Sequence, residues 1–122
     1  MSVRVALVDD EPLIRSGLAA VISSEPDLLV VGEAGDGSEV PALVARTAPH
    51  VVLMDVRMPG VDGIAATRAL VRAGSAARVL VLTTFANDDH VFDALAAGAD
   101  GFLLKRSTPE EVLHGILSLI HI

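Results

Sequence analysis

Val3-Arg-Val-Ala-Leu-Val-Asp-Asp10 decides the fold: an almost wholly apolar run stops abruptly on two adjacent carboxylates. Consecutive apolar positions suit a strand buried on both faces, as in a parallel sheet. The same pattern returns three times, as Val51–Met54 ending at Asp55, Val79–Leu82 ending at Thr83, and Phe102–Leu104 ending at Lys105. Ligands of an open α/β sheet bind just outside the carboxyl ends of its strands. A parallel arrangement therefore gathers Asp9, Asp10, Asp55, Thr83 and Lys105 at one edge.

Between these runs lie segments with helical spacing. Glu11–Ser24 places Leu13, Ile14, Gly17, Leu18, Val21 and Ile22 on one face. Leu28–Ala34 reads as the second strand, and Ser38–Thr47 as the second helix, with Asp36 or Ser38 as its cap and Pro41 in its first turn. Val56–Asp62 is an irregular loop before a helix over Gly63–Ala73, which Gly74 stops. Asn87 caps a fourth helix running to about Ala97, and Gly98 and Gly101 bracket the turn into the last strand. Thr108, Pro109 and Glu111 spell a capping box with proline at the first helical position. The fifth helix carries an apolar stripe of Leu113, Ile116, Leu117 and Ile120.

Strands alternating with helices predict one (βα)5 unit, a doubly wound parallel five-stranded sheet of the flavodoxin-like kind in the order 2-1-3-4-5. That order seats the first and third strands side by side, so Asp9, Asp10 and Asp55 meet in one crevice. A chain of 122 residues fits one domain over its whole length, and its 52% hydrophobic content with three Phe and no Trp or Tyr makes an aliphatic core. The net charge of −7 argues against bulk nucleic-acid binding by these residues. No apolar run is long enough to span a bilayer and no signal peptide is legible, so a cytoplasmic location without membrane attachment is expected. Without cysteine there is neither a disulfide framework nor a thiolate metal site.

Carboxylates gathered in one crevice repel: a pair at 4 Å costs about 4 kcal/mol at an effective dielectric near 20. The cluster either takes up protons or holds a cation. Oxygen ligands alone favour Mg²⁺, whereas the histidines and cysteines that suit zinc are missing at these strand ends. One Asp can then act as a nucleophile and form an acyl phosphate, with Lys105 and the metal neutralising the transferred oxygens. Thr83 can donate a hydrogen bond to the phosphoryl group and draw the 83–87 loop inward. The plainer readings are a helix cap for Asp10, ordinary strand ends for Asp55, Thr83 and Thr84, and a solvated charge for Lys105. His50, His90, His114 and His121 are scattered among different elements and read as surface residues.

The chain resembles the response-regulator receiver domains of two-component signalling over nearly all its length. The resemblance is carried by Val5-Ala-Leu-Val-Asp-Asp10 with Glu11-Pro-Leu-Ile-Arg-Ser-Gly-Leu18, by Val52-Leu-Met-Asp-Val-Arg-Met-Pro-Gly-Val-Asp-Gly63, by Val81-Leu-Thr-Thr-Phe85 and by Gly98-Ala-Asp-Gly-Phe-Leu-Leu-Lys105. Pro12–Leu18 and Thr83–Phe85 give it the flavour of the NarL/FixJ-like subgroup, whose receivers usually precede a LuxR-type helix-turn-helix. The resemblance implies a CheY-like fold with Asp55 as phospho-acceptor. It implies Mg²⁺ held by Asp10 and Asp55 directly, by Asp9 through water and by the backbone carbonyl of Arg57. Thr83 would be the switch hydroxyl, Lys105 the phosphate-binding ammonium, and Phe102 the aromatic that turns inward with Thr83. Arg57 and Phe85 flank the acceptor. Arg106 stands where many receivers carry a proline joined by a cis bond, and a cis bond before a non-proline residue costs ~3–4 kcal/mol.

The implied function is a switch that takes its phosphoryl group from a sensor histidine kinase, catalysing only its own phosphorylation and dephosphorylation. Its output would be transcriptional, with DNA bound by a C-terminal helix-turn-helix domain beyond Ile122. A homodimer through the first and fifth helices is a further implication. Two other classes compete. A Mg²⁺-dependent aspartyl-phosphate phosphatase or phosphotransferase usually needs a carboxylate two residues after its nucleophile, where this chain has Arg57. A phosphorylation-independent binding module would have no use for the intact acidic set.

Overall fold

A computed structural model describes residues 2–58, 60–84 and 89–120. Its five strands are β1 (Val3–Val8), β2 (Leu28–Ala34), β3 (Val51–Asp55), β4 (Arg78–Thr83) and β5 (Gly101–Leu104). All pair in parallel in the order β2-β1-β3-β4-β5. The expected topology is the observed one. Each strand boundary falls within a residue of its expected place, because an apolar run ending on a polar side chain marks where burial stops.

Five helices cover the sheet: α1 (Pro12–Ser23), α2 (Val40–Thr47), α3 (Gly63–Arg72), α4 (Asp89–Ala97) and α5 (Pro109–Ser118). Side chains alternate across a strand, so each strand feeds two cores. Val5, Leu7, Val51, Leu53, Leu80 and Leu82 pack on one face with Ile22 of α1 and Val112 and Ile116 of α5. Ala6, Val8, Val52, Met54, Val79 and Val81 fill the other face with Leu43 of α2, Leu70 of α3 and Ala94 of α4.

Three details differ from the sequence reading. The second helical segment opens with a 3-10 turn, Gly37–Glu39, because the Asp36 side chain accepts from the Ser38 N–H at 2.8 Å; α2 itself starts at Val40. Leu13 is 85% exposed and Gly17 also faces outward, so the buried face of α1 is narrower than its periodicity suggested. On α5, Leu117 is exposed while Val112 is buried, which rotates the stripe toward Val112 and Ile116. No cis peptide bond occurs among the described residues, the Lys105–Arg106 bond included. The Thr108 capping box is present with both hydrogen bonds. Asn87 and Phe85 lie outside the described residues, as does His121.

Candidate functional site

The carboxyl ends of β1 and β3 meet because these strands are neighbours, with Leu7 opposite Leu53 and Val8 opposite Met54. Asp9 and Asp55 emerge just past those pairs and are both 1% exposed. β4 lies on the other side of β3 and ends at Thr83, which is also buried, and β5 is followed directly by Lys105. The topology thus delivers all five sequence-predicted residues to one rim.

Asp9, Asp10, Glu11 and Asp55 each offer a carboxylate oxygen, and these atoms all lie within 4.8 Å of one another. Lys105 is their cation. Its Nζ stands 3.1 Å from Asp55 Oδ2, 3.2 Å from Glu11 Oε1 and 3.6 Å from Asp9 Oδ2. Backbone donors hold the other oxygens: Glu11 N–H donates to Asp9 Oδ1 at 2.8 Å and Arg57 N–H to Asp55 Oδ1 at 3.2 Å. The cap of α1 is Glu11, without a side-chain hydrogen bond, so the helix-cap reading of Asp10 is not realised. Asp10, Glu11, Asp55, Arg57, Thr83, Thr84 and Lys105 line a cleft of about 220 Å³. Of the two threonines, Thr83 is the buried one and Thr84 is exposed.

Burial pushes the Asp55 carboxyl up from 3.8 to about 6; the neighbouring Asp9 charge adds to the rise, while Lys105 and the Arg57 N–H oppose it. Burial also raises Asp9 above its ordinary value, against the pull of the Glu11 N–H and Lys105. For Lys105, burial works toward the neutral amine, but Asp55, Glu11 and Asp9 outweigh it and hold the ammonium above its usual range. One ammonium thus pairs with three of the four carboxylates.

The residues present fit a hard divalent cation. Asp9 Oδ2 is buried without a hydrogen-bond partner and has only a share of the Lys105 ammonium 3.6 Å away, an arrangement that costs free energy unless a further cation compensates it. The ligand atoms are oxygens only, as Mg²⁺ requires.

Two participants escaped the sequence reading. Glu11 is absent from the sequence-predicted set, yet it joins the acidic cluster and ion-pairs with Lys105; its place directly after Asp9-Asp10 is the available signal. His90 of α4 stands 3.3 Å from the Arg57 guanidinium, a contact across elements that no spacing reveals. His50 accepts the Arg4 N–H at 2.9 Å and is half-buried, so it is a structural residue and not a purely solvated one. Phe102 is 39% exposed on the edge strand β5.

The response regulator receiver domain family matches residues 5–117, and the chain belongs to that family. It is 46% identical over 114 residues to the transcriptional regulatory protein YxjL and 45% identical over 114 residues to the transcriptional regulatory protein LiaR, both of Bacillus subtilis. Each alignment covers 93% of this chain, which spans about half the length of these relatives (52% and 54%). The signal receiver domain of the putative response regulator NarL from Mycobacterium tuberculosis superposes with a TM-score of 0.91 at 39% identity, covering 96% of this chain and 94% of that one. Within the family the chain is of the NarL- and LiaR-like, LuxR-type kind.

Proposed function

We propose that this chain is a phosphorylation-controlled switch whose phospho-acceptor is Asp55. The carrying observation is the pairing of a buried Asp55 with Lys105 at 3.1 Å, beside an Asp9 oxygen that lacks any hydrogen-bond donor. Asp9, Asp10 and Asp55, with the Arg57 backbone carbonyl, hold Mg²⁺. Bound Mg²⁺ supplies charge neutralisation for the carboxylates and for the oxygens of the incoming phosphoryl group.

Asp55 then supplies a carboxylate oxygen that bonds to the phosphorus of a phosphohistidine on a sensor kinase. The P–N bond breaks, and the imidazole leaves with its electron pair. Lys105 moves from pairing a carboxylate to pairing a phosphoryl oxygen, and the Thr83 hydroxyl donates to another. Phe102, outward in this state, turns inward as Thr83 shifts. The chain acts on no other substrate.

The whole protein is proposed to act in the cytoplasm as a transcription regulator whose DNA contacts lie in a further C-terminal domain. The LuxR-type relatives and their roughly twofold greater length support this. Among the described residues no helix is long and apolar enough to cross a membrane. Exposed Leu13 on α1 and Leu117 on α5 support a homodimer through those helices.

The test is phosphoryl incorporation from a small acyl-phosphate donor, read by intact mass. Wild type gains one phosphoryl group in the presence of Mg²⁺ and none after chelation, and Asp55→Asn gains none. Undiminished incorporation in Asp55→Asn overturns the assignment.

A further inference from the structure

The loop that follows Asp55 is braced from a part of the chain remote from the acidic cluster. Gly37 N–H donates to Val61 O at 3.0 Å, tying the β2–α2 connection to the β3–α3 connection. The two backbones approach so closely that a Cβ on Gly37 would lie 2.3 Å from Val61 O. From the other direction, Gly60 has φ +76°, and a Cβ there would lie 2.7 Å from Asp36 Oδ2. Asp36 accepts from the Ser38 N–H at 2.8 Å through Oδ1. The Ser38 N–H, the Ser38 hydroxyl and the Val61 N–H together hold its carboxyl below the usual carboxylate range. Asp36 Oδ2 thus stands against Gly60 while Gly37 bonds Val61, so the Asp36–Gly37 turn ties together two connections, one of which carries Arg57.

We infer that Asp36 is a positioning residue for divalent-metal binding: it fixes the Gly60–Val61 end of the β3–α3 loop and so holds the Arg57 backbone at the cluster. This rests on the reading of Arg57 as a backbone ligand. Nearer β3 the loop is also held by the Gly63 N–H to Val56 O bond of 2.9 Å, the Val56 N–H to Leu82 O bond of 3.1 Å and the Arg57 N–H to Asp55 Oδ1 bond of 3.2 Å. Gly60 and Val61 are held by the Asp36–Gly37 brace. Mg²⁺ demands near-octahedral geometry, so its affinity reports loop placement more sharply than a softer cation would. A backbone ligand has no side chain to re-aim when its loop shifts. Neither Asp36 nor Gly37 belongs to the acidic cluster.

The experiment is calorimetric Mg²⁺ titration of the whole chain at 20 °C and pH 7.5, where wild type and variants are verified as folded by circular dichroism. Asp36→Ala is expected to weaken Mg²⁺ about 5- to 10-fold, and Gly37→Ala, which pushes Val61 from the opposite side, to weaken it at least as much. Ala45→Gly loosens exposed α2 without touching the brace, and is expected to leave affinity within twofold. Equal loss in Ala45→Gly would mean general softening and overturn the inference. Wild-type affinity in both Asp36→Ala and Gly37→Ala would overturn it while leaving the metal site standing. Absence of Mg²⁺ uptake by wild type would overturn both the inference and the reading beneath it.

Discussion

At the scale of single residues, the site is a buried excess of negative charge held by one ammonium. Removing a buried charge that sits in its less favoured form stabilises the fold. Asp55→Asn keeps the volume and removes the repulsion with Asp9, so it is expected to raise unfolding stability at pH 7.5 by about 1–2 kcal/mol. Urea denaturation of the two proteins checks this, and a destabilised variant would show that the Lys105 pairing outweighs burial and repulsion. Lys105→Ala has the opposite electrostatic consequence. Because Lys105 is among the forces opposing the rise of Asp55, its loss moves the Asp55 carboxyl above the value of about 6. Carboxyl ¹³C NMR titration reads that midpoint, and an unchanged or lower one would place the cation's effect elsewhere. Glu11 belongs to this scale as well: its pairing with Lys105 was invisible in the chain because it depends on the residue after β5 reaching across the rim to the start of α1.

At the scale of elements, close approaches explain residue choices that look like mere loop composition. Gly63, the first residue of α3, sits where a Cβ would lie 2.1 Å from Asp55 O. Both partners are backbone, so nothing flexible can yield. Gly63→Ala is therefore expected to displace the end of β3 from α3 and to cost about 2–4 kcal/mol, the range of strained or overpacked substitutions, with Mg²⁺ uptake lost in parallel. Equilibrium unfolding checks the first part; a cost under about 1 kcal/mol would mean the helix simply slides. Strand limits and strand order were legible because they follow from burial on two faces and from crossover rules, both encoded locally. The faces of the helices were only partly legible. Leu13, in the first turn of α1 just past the carboxyl end of β1, continues the periodicity into solvent. Asp36 was read as a helix cap, and it does accept from Ser38 N–H, but the bond that its neighbour Gly37 makes to Val61 depends on two loops meeting in space. Phe102 lies on the edge strand β5 and is exposed.

At the scale of the whole molecule, proton binding, metal binding and folding are linked through one cluster. Between the ordinary carboxylate value of 3.8 and about 6, folded Asp55 binds more protons than the unfolded chain does. The apo protein therefore gains stability as pH falls through that window and bears the full cost of the buried charge above it. Mg²⁺ needs the deprotonated cluster, so its effect runs the other way. At a metal concentration of 100 times Kd, binding stabilises the fold by about 2.7 kcal/mol at pH 7.5. One pH unit below the Asp55 midpoint, protons compete for about nine-tenths of the sites, and the same metal concentration yields only about 1.4 kcal/mol. Protonation of Asp9, whose carboxyl is also raised, pushes the remaining gain lower. Thermal unfolding with and without Mg²⁺ at pH 7.5 and pH 5 is expected to show the stabilisation falling by half or more. A metal-induced shift equal at both pH values would mean the cation binds away from Asp55, and the sheet's carboxyl rim would lose its claim to be the phosphoryl site.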